Sequence, residues 1–186
     1  NRVLFYAIRQ PHEAMTITVN SQVRLEPAPG VQGQLQRDAL LATAAQCSWE
    51  AVCDQLRQDR RPATLEARQY AMASPHVPLL PELSAYADLS FSANRHVIDA
   101  VYELMVRIYR DFAFVPGATT VATPITEVLA ERRGVCQDFA HLMIGSLRAK
   151  GLAARYVSGY IETLPPPGQE KLQGSDASHA WCSVYI

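Results

Sequence analysis

The chain has 186 residues, of which 48% are apolar and 19% are charged, with a formal net charge of -1 at pH 7. Such a composition is typical of an ordinary folded domain and excludes a disordered, highly charged chain. The basic residues are scattered among nearly as many acids, and no apolar run is long enough to span a bilayer, so we expect neither a nucleic-acid nor a membrane partner.

The N-terminal stretch alternates apolar and polar residues from Met15 to Leu25, which is typical of a half-buried strand. Residues 1–26 are therefore predicted to be β, with a turn at Pro11-His12-Glu13. Pro and Gly residues end this pattern after position 26. Apolar residues then recur at helical spacing and predict a helix near 48–58, and a second helix is predicted over 64–73.

Three prolines, Pro75, Pro78 and Pro81, predict an extended connector. We place a domain boundary there, with a partial β-rich domain over 1–73 and a second domain over 74–186. An apolar stripe at three- and four-residue steps predicts an amphipathic helix over 94–112, with Asn94 as N-cap. Beyond the Pro116-Gly117 turn, Thr123 followed by Pro124 predicts a short helix through about 131.

A further helix is predicted from Cys136 to Lys150, closed by Gly151 at the position after its C-cap. Two strands follow, over 153–161 and 178–186, with a loop rich in Pro and Gly between them. In the last strand the pleat predicts one face carrying Ala180, Cys182, Val184 and Ile186, and the other carrying His179, Trp181, Ser183 and Tyr185. His179 is thus expected to leave the packed face.

Four cysteines, at positions 47, 53, 136 and 182, lack the density of a disulfide-rich domain and the C-x-x-C pairs of a zinc site. With no signal-peptide pattern at the start of the chain, this favours free thiols in a reducing cytoplasm. Cys47, Cys53 and Cys182 are interpreted as small core residues. A metal site built from Cys136, His141, His179 and Cys182 is disfavoured by their spacing.

Cys136 follows a predicted tight turn at Arg133-Gly134-Val135 and begins a helix, where unpaired backbone N–H groups favour a thiolate. Ala140 and Met143 share its face, so the sulfur is expected to point towards the sheet. Two readings stay open for each of the two residues. Cys136 is either a nucleophile or a buried inert thiol, and His179 is either a catalytic base or a structural histidine.

Three ordered blocks of sequence carry a family resemblance. They are Gly134-Val135-Cys136-Gln137-Asp138-Phe139-Ala140-His141-Leu142, Ala154-Arg155-Tyr156-Val157-Ser158-Gly159-Tyr160 and Asp176-Ala177-Ser178-His179-Ala180-Trp181. Together they strongly resemble the bacterial transglutaminase-like proteins, whose core is similar to that of papain-like cysteine proteases. The resemblance extends upstream through Ala73-Ser74-Pro75 and Pro116-Gly117-Ala118-Thr119-Thr120. It implies an α+β fold with helices packed on an antiparallel sheet, preceded by part of a β-rich N-terminal domain.

The resemblance implies that Cys136 is the nucleophile and His179 the general base. In the family a third residue, an Asp on the strand after the histidine, orients the imidazole. We expect its counterpart beyond Ile186, so that residues 1–186 are an internal piece of a longer polypeptide, and the absence of the third residue favours an inactive chain over 1–186 alone. Asp138 and Asp176 are inferior substitutes, and a structural role is preferred for both.

An oxyanion hole is expected to use the backbone N–H of Cys136, with Gln137 as an auxiliary donor only by proximity. His141 lies about 140° round an ideal helix from Cys136 and is expected off the catalytic face. Trp181 either forms a wall of the site or is simple packing.

The implied reaction is acyl transfer on a peptide, protein or small amide through a thioester, with no cofactor and no metal. Water as acceptor gives a peptidase or amidase, which we favour slightly, and an amine gives a transglutaminase. The alternative function is a noncatalytic scaffold or interaction module that has kept the fold.

Overall fold

The structure is a computed structural model that describes residues 5, 7–16, 18, 42, 46–161, 167–168 and 177–186. Its helices are α1 (Trp49–Gln58), α2 (Pro62–Arg68), a 3-10 turn (Gln69–Ala71), α3 (Pro81–Asp88), α4 (Val97–Asp111), α5 (Ile125–Glu131) and α6 (Cys136–Ala149). Its strands are β1 (Ala113–Phe114), β2 (Arg133–Gly134), β3 (Ala154–Ile161) and β4 (Ala177–Val184).

Helix α1 confirms the helix predicted near 48–58. Ser48 caps it, because the Ser48 hydroxyl accepts the Ala51 N–H at 3.2 Å. Its buried face carries Val52, Cys53 and Leu56. The helix predicted over 64–73 begins earlier, because Pro62 occupies its first turn, and it tightens into the 3-10 turn that ends at Ala71.

The predicted extended connector is wrong at its C-terminal end, because Pro81 begins α3. Proline suits the first helical position, where its missing N–H has no intrahelical partner anyway. Helix α3 buries Leu83 and Ala87 in a core that also contains Cys53 from α1. Residues on both sides of the predicted boundary therefore share one core, and the division at 73/74 stays a prediction.

The predicted N-cap of α4 is also wrong. Asn94 adopts a left-handed backbone conformation with φ of 59°, and the helix begins at Val97 with His96 as its N-cap. The Asn94 N–H instead donates to a Glu50 carboxylate oxygen at 2.9 Å. Helix α5 confirms the helix predicted through about 131, with Pro124 itself as N-cap.

Helix α6 is the central element of the core, with Leu142, Ile144 and Leu147 fully buried. It contacts α3, α4, α5 and both strands β3 and β4. It ends at the predicted glycine: Gly151 has φ of +86°, its N–H bonds to the Arg148 carbonyl, and the Leu152 N–H bonds to the Leu147 carbonyl. This pair of bonds is a Schellman motif, which confirms the predicted end of the helix.

Strands β3 and β4 pair antiparallel in a register that places Gly159 opposite His179 and Val157 opposite Trp181. Strands β1 and β2 form a short parallel pair, with Ala113 opposite Arg133 and Phe114 opposite Gly134. This second pair holds the turn before α6 beside the end of α4. The fold class is α+β with helices packed on an antiparallel sheet, as predicted.

The predicted N-terminal strands fall largely outside the described residues, and residues 7–16, which are described, are not in a strand. Within the described ranges, no helix has both the length and the apolar character needed to cross a membrane.

Candidate active site

Cys136 is the first residue of α6 and its side chain is partly exposed. Val135, in an extended conformation, is the N-cap. The backbone therefore changes from strand to helix within two residues and presents Cys136 at the end of the element. The predicted tight turn at Arg133-Gly134-Val135 is wrong, because Arg133 and Gly134 form β2 and Val135 is extended. The chain turns only as it passes from Val135 into α6, and Cys136 begins that helix as predicted.

Asp138 is buried beneath that turn, with 4% of its surface exposed. One carboxylate oxygen, Oδ2, accepts the Val135 N–H at 2.8 Å and the Thr119 hydroxyl at 2.6 Å. Gly134 packs so closely on the same carboxylate that a Cβ there would lie 2.7 Å from Oδ2. Asp138 thus ties the turn, the helix start and the 119 loop together, which is the structural role preferred for it.

Cys136 and His179 line the same cavity, which we call the apolar cavity and which has a volume of about 670 Å³. Ala140 and Met143 of α6 line it too, which agrees with the predicted inward face of the helix. Phe139 of α6 also lines it. Its remaining walls are mainly aliphatic and aromatic side chains of α4, the β1 region and β4: Val101, Met105, Ile108, Tyr109, Phe112, Phe114, Ala180, Trp181, Cys182 and Val184.

Within β4, which ends at Val184, the two faces behave as the alternation predicts, whereas Ile186, predicted on the packed face, lies beyond the strand and is 38% exposed. Ala180 is buried and Cys182 packs against the core, whereas His179 is partly exposed and Trp181 is 41% exposed. The rings of His179 and Trp181 meet edge to face, with centroids 4.9 Å apart. Across the strand pair, a Cβ at Gly159 would lie 3.2 Å from the Trp181 ring, so glycine leaves room for the indole.

A second cavity of about 360 Å³, which we call the basic cavity, is lined by Gln137, His141, Tyr156 and Arg148, together with Ser74, Pro75, His76, Val77, Val121 and Ile144. Gln137 thus lines a different cavity from its neighbour Cys136. His141 does too, which confirms that it lies off the face of Cys136. Burial raises the pKa of Tyr156, and so do the charges of Cys136 and Asp138, so Tyr156 lies within electrostatic reach of the thiol.

The other three cysteines are core residues, as predicted. Cys53 is buried and its thiol donates to the Lys150 carbonyl, while Cys47 and Cys182 pack against the core. Burial raises the pKa of Cys53 and raises that of Cys182 to about 12. Cys53, Cys136 and Cys182 form no disulfide bond.

Asp176 lies outside the described residues. Among the residues that are described, no carboxylate is hydrogen-bonded to His179, and no three His, Cys, Asp or Glu side chains are grouped to hold a metal ion. The catalytic roles assigned to Cys136 and His179 stay predictions.

Sequence reasoning named Thr119, Gly134 and Tyr156 only as parts of the matching blocks and missed the contacts by which they shape the site. The available signal was Asp138 at the third helical position, which is where a carboxylate reaches back to the N-cap N–H. That pattern predicts the bond to Val135. The Thr119 hydroxyl and the Tyr156 ring come from distant segments, and no local pattern indicates them.

These elements define a class of protein: an α+β core that presents a cysteine at a helix start and a histidine on an adjoining strand, both on one cavity. A family model described as transglutaminase-like superfamily matches residues 85–186. The chain belongs to that superfamily.

Uncharacterized mycobacterial proteins are among its relatives. One from Mycobacterium tuberculosis is 39% identical over 97% of this chain and 54% of its own length. Another, from Mycobacterium leprae, is 27% identical over 98% of this chain and 58% of its own length. The chain therefore spans a little over half the length of the curated relatives it matches.

A solved structure from Cytophaga hutchinsonii, named a "putative cysteine protease", superposes with a TM-score of 0.55. The two chains are 29% identical, and the matched region covers 69% of this chain and 40% of the Cytophaga chain. This likeness agrees with the papain-like core that the sequence implies.

Proposed function

We propose that this protein is a cysteine-dependent acyl-transfer enzyme that acts on amide or peptide bonds. In the first step the Cys136 sulfur, having given its proton to His179, attacks the carbonyl carbon. The C–S bond forms, the C–N bond breaks, and the amine leaves with the proton from His179. In the second step water attacks the thioester, gives a proton to His179, and releases the acid and the Cys136 thiol.

One observation carries this proposal: Cys136 and His179, from elements far apart in the chain, line the same cavity. Cys136 is partly exposed, as are Cys47 and Cys182, but those two pack against the core, whereas Cys136 begins a helix. The bonds of Asp138 to the preceding turn support the same reading, because a nucleophile must be held in a narrow range of positions.

The lining of the apolar cavity supports an apolar substituent on the acyl part of the substrate. The rings of Phe112 and Phe114 both contact Phe139, and so form an aromatic wall close to Cys136. Burial of a leucine- or phenylalanine-sized group there would contribute about 1.5–3 kcal/mol to binding. We propose hydrolysis rather than amine transfer, because the described residues that line the cavity include no carboxylate to bind a cationic amine acceptor.

The test compares the purified wild-type protein with Cys136→Ser and His179→Gln on fluorogenic peptide amides carrying Leu or Phe. We expect each substitution to lower kcat/KM by about a thousandfold or more. Cys47→Ser and His96→Gln are matched controls, because Cys47 lies outside the cavity lining and His96 is an exposed residue at the start of α4. Activity that survives both site substitutions would refute the proposal.

Alkylation by iodoacetamide is a second test of the proposed nucleophile, and it needs no substrate. Cys53 and Cys182 have raised pKa values because they are buried, so at neutral pH they remain thiols and react slowly. Mass spectrometry should therefore find Cys136 modified faster than a free thiol, and His179→Gln should remove that excess rate. An excess rate that His179→Gln leaves unchanged would favour the noncatalytic scaffold.

A further inference from the structure

The basic cavity contains a buried cation without a carboxylate partner. Arg148 is 9% exposed, and its guanidinium donates to the carbonyls of Ala154 and Met72 and to the Ser74 hydroxyl. None of the ion pairs among the described residues includes Arg148. Burial also lowers its pKa. A buried charge that is hydrogen-bonded but not neutralised is costly, and an anion in the adjoining space would offset that cost.

Two histidines extend this basic character to the mouth of the cavity. The rings of His76 and His141 stack in parallel, with centroids 5.7 Å apart and planes 5° apart. Burial lowers the pKa of His141, and the nearby charges of His76 and Arg148 lower it further. Asp138 acts in the opposite direction, but its Oδ2 is already bonded to the Val135 N–H and to Thr119.

The basic cavity also lies beside the proposed nucleophile. Gln137, the residue after Cys136, lines it, and Tyr156 lines it while responding to the charge of Cys136. A group bound there would therefore belong to the same substrate molecule as the bond that Cys136 attacks. Among the described residues no Asp or Glu side chain lines the cavity, so none of them offers a partner to a cationic group there.

We propose that the basic cavity binds a carboxylate of the substrate. This rests on the proposed function and makes it more specific: the substrate carries an apolar group in the apolar cavity and a carboxylate next to the helix start. The carboxylate is that of an acidic side chain or of a peptide C-terminus. The charge of His76 lowers the pKa of His141, and a bound carboxylate acts in the opposite direction because it stabilises the charged form of His141.

Direct binding tests the proposal without relying on turnover. Histidine ring resonances of the Cys136→Ala protein are followed by NMR while N-acetylglycine, which has a terminal carboxylate, is added. N-acetylaspartic acid α-amide is the second probe, because its carboxylate is that of a side chain. N-acetylglycinamide, which has no carboxylate, is the neutral control. We expect a carboxylate probe to shift the His76 and His141 signals and to raise the pKa of His141, and the neutral probe to leave both unchanged.

The two carboxylate probes distinguish a peptide C-terminus from an acidic side chain. Tighter binding of N-acetylglycine identifies a terminal carboxylate, and tighter binding of N-acetylaspartic acid α-amide identifies a side-chain carboxylate. Arg148→Met should weaken binding by about tenfold or more, since charge-assisted bonds are the strong ones. Because Arg148 is buried and its variant can unfold, His76→Gln provides an exposed substitution that should weaken binding by about threefold. His96→Gln is the matched control and should bind like the parent.

Equal binding of the neutral and charged probes would overturn the proposal, and so would unchanged affinity in both Arg148→Met and His76→Gln. Failure of the proposed function looks different. In that case the carboxylate probes bind as expected, but the wild-type protein cleaves no amide in a manner that depends on Cys136 and His179. If cleavage does depend on those two residues while the carboxylate probes do not bind, only the carboxylate site is refuted.

Discussion

The substitution Asp138→Ala tests how the turn before Cys136 is held. The Asp138 carboxylate is 4% exposed and accepts hydrogen bonds from the Val135 N–H at 2.8 Å and the Thr119 hydroxyl at 2.6 Å. Each bond to a charged acceptor contributes about 1.5–3 kcal/mol, and alanine would leave both donors unpaired. We therefore expect the free energy of unfolding to fall by about 3–5 kcal/mol, a large share of the stability of a typical domain.

Urea unfolding followed by circular dichroism measures this loss. Asp138→Asn keeps one acceptor oxygen but not the charge, and should lower the free energy of unfolding by about 1–2 kcal/mol. Thr119→Val removes one hydrogen bond and should lower it by a similar amount. In conditions where all the variants are folded, the rate of Cys136 alkylation should fall most in Asp138→Ala, because the helix start is no longer tied to the turn. A loss of stability below about 1 kcal/mol in Asp138→Ala would refute the reasoning.

Three further predictions follow from close packing and burial. Gly134→Ala would place a Cβ 2.7 Å from Asp138 Oδ2. This should lower the free energy of unfolding, measured in urea, by about 1–3 kcal/mol. An unchanged urea midpoint would contradict this prediction. Gly159→Val would crowd the Trp181 ring, because a Cβ at position 159 would lie 3.2 Å from it. We expect kcat/KM to fall about tenfold while the protein stays folded. Full activity would count against a role for the indole beside His179. Burial raises the pKa of Cys182 from its ordinary value of 9.0 to about 12. The folded state therefore keeps a proton that the unfolded chain loses above pH 9.0, and stability should fall as the pH rises from 9.0 towards 12. Cys182→Ala should flatten that fall by at most about 1.4 kcal/mol per pH unit, and urea titrations that show the same slope in both proteins would refute the assignment.

Elements with strong local signals could be predicted from the sequence. Helix α6 carries its start and stop signals in the chain itself, in Asp138 at its third position and in Gly151. Strand β4 has a period-two pattern whose two faces match the burial of Ala180 and the exposure of Trp181. The juxtaposition of Cys136 and His179 came from the family resemblance, and the shared cavity agrees with it.

Features that depend on distant contacts could not be predicted. Asn94 was expected to cap a helix, but its N–H is taken by Glu50 of α1 and the chain turns before the helix begins. Pro81 belongs to a series of prolines that suggests a connector, yet it begins a helix whose Leu83 is fully buried. In the basic cavity Arg148 donates to the carbonyl of Met72, and no short window of sequence contains both residues.

Two independent constraints therefore place the candidate catalytic pair. Cys136 is held by its local turn, through Asp138, whereas the position of His179 depends on the register of β4 against β3 and on the packing of β4 against α6. A slip of one residue in that register would exchange the two faces of β4, sending His179 towards the core and Ala180 into the open space. The buried side of β4, with Ala180 and Cys182 packed on the core, opposes such a slip. The same apolar contacts that stabilise the sheet on α6 thus also keep the imidazole on the cavity that Cys136 lines.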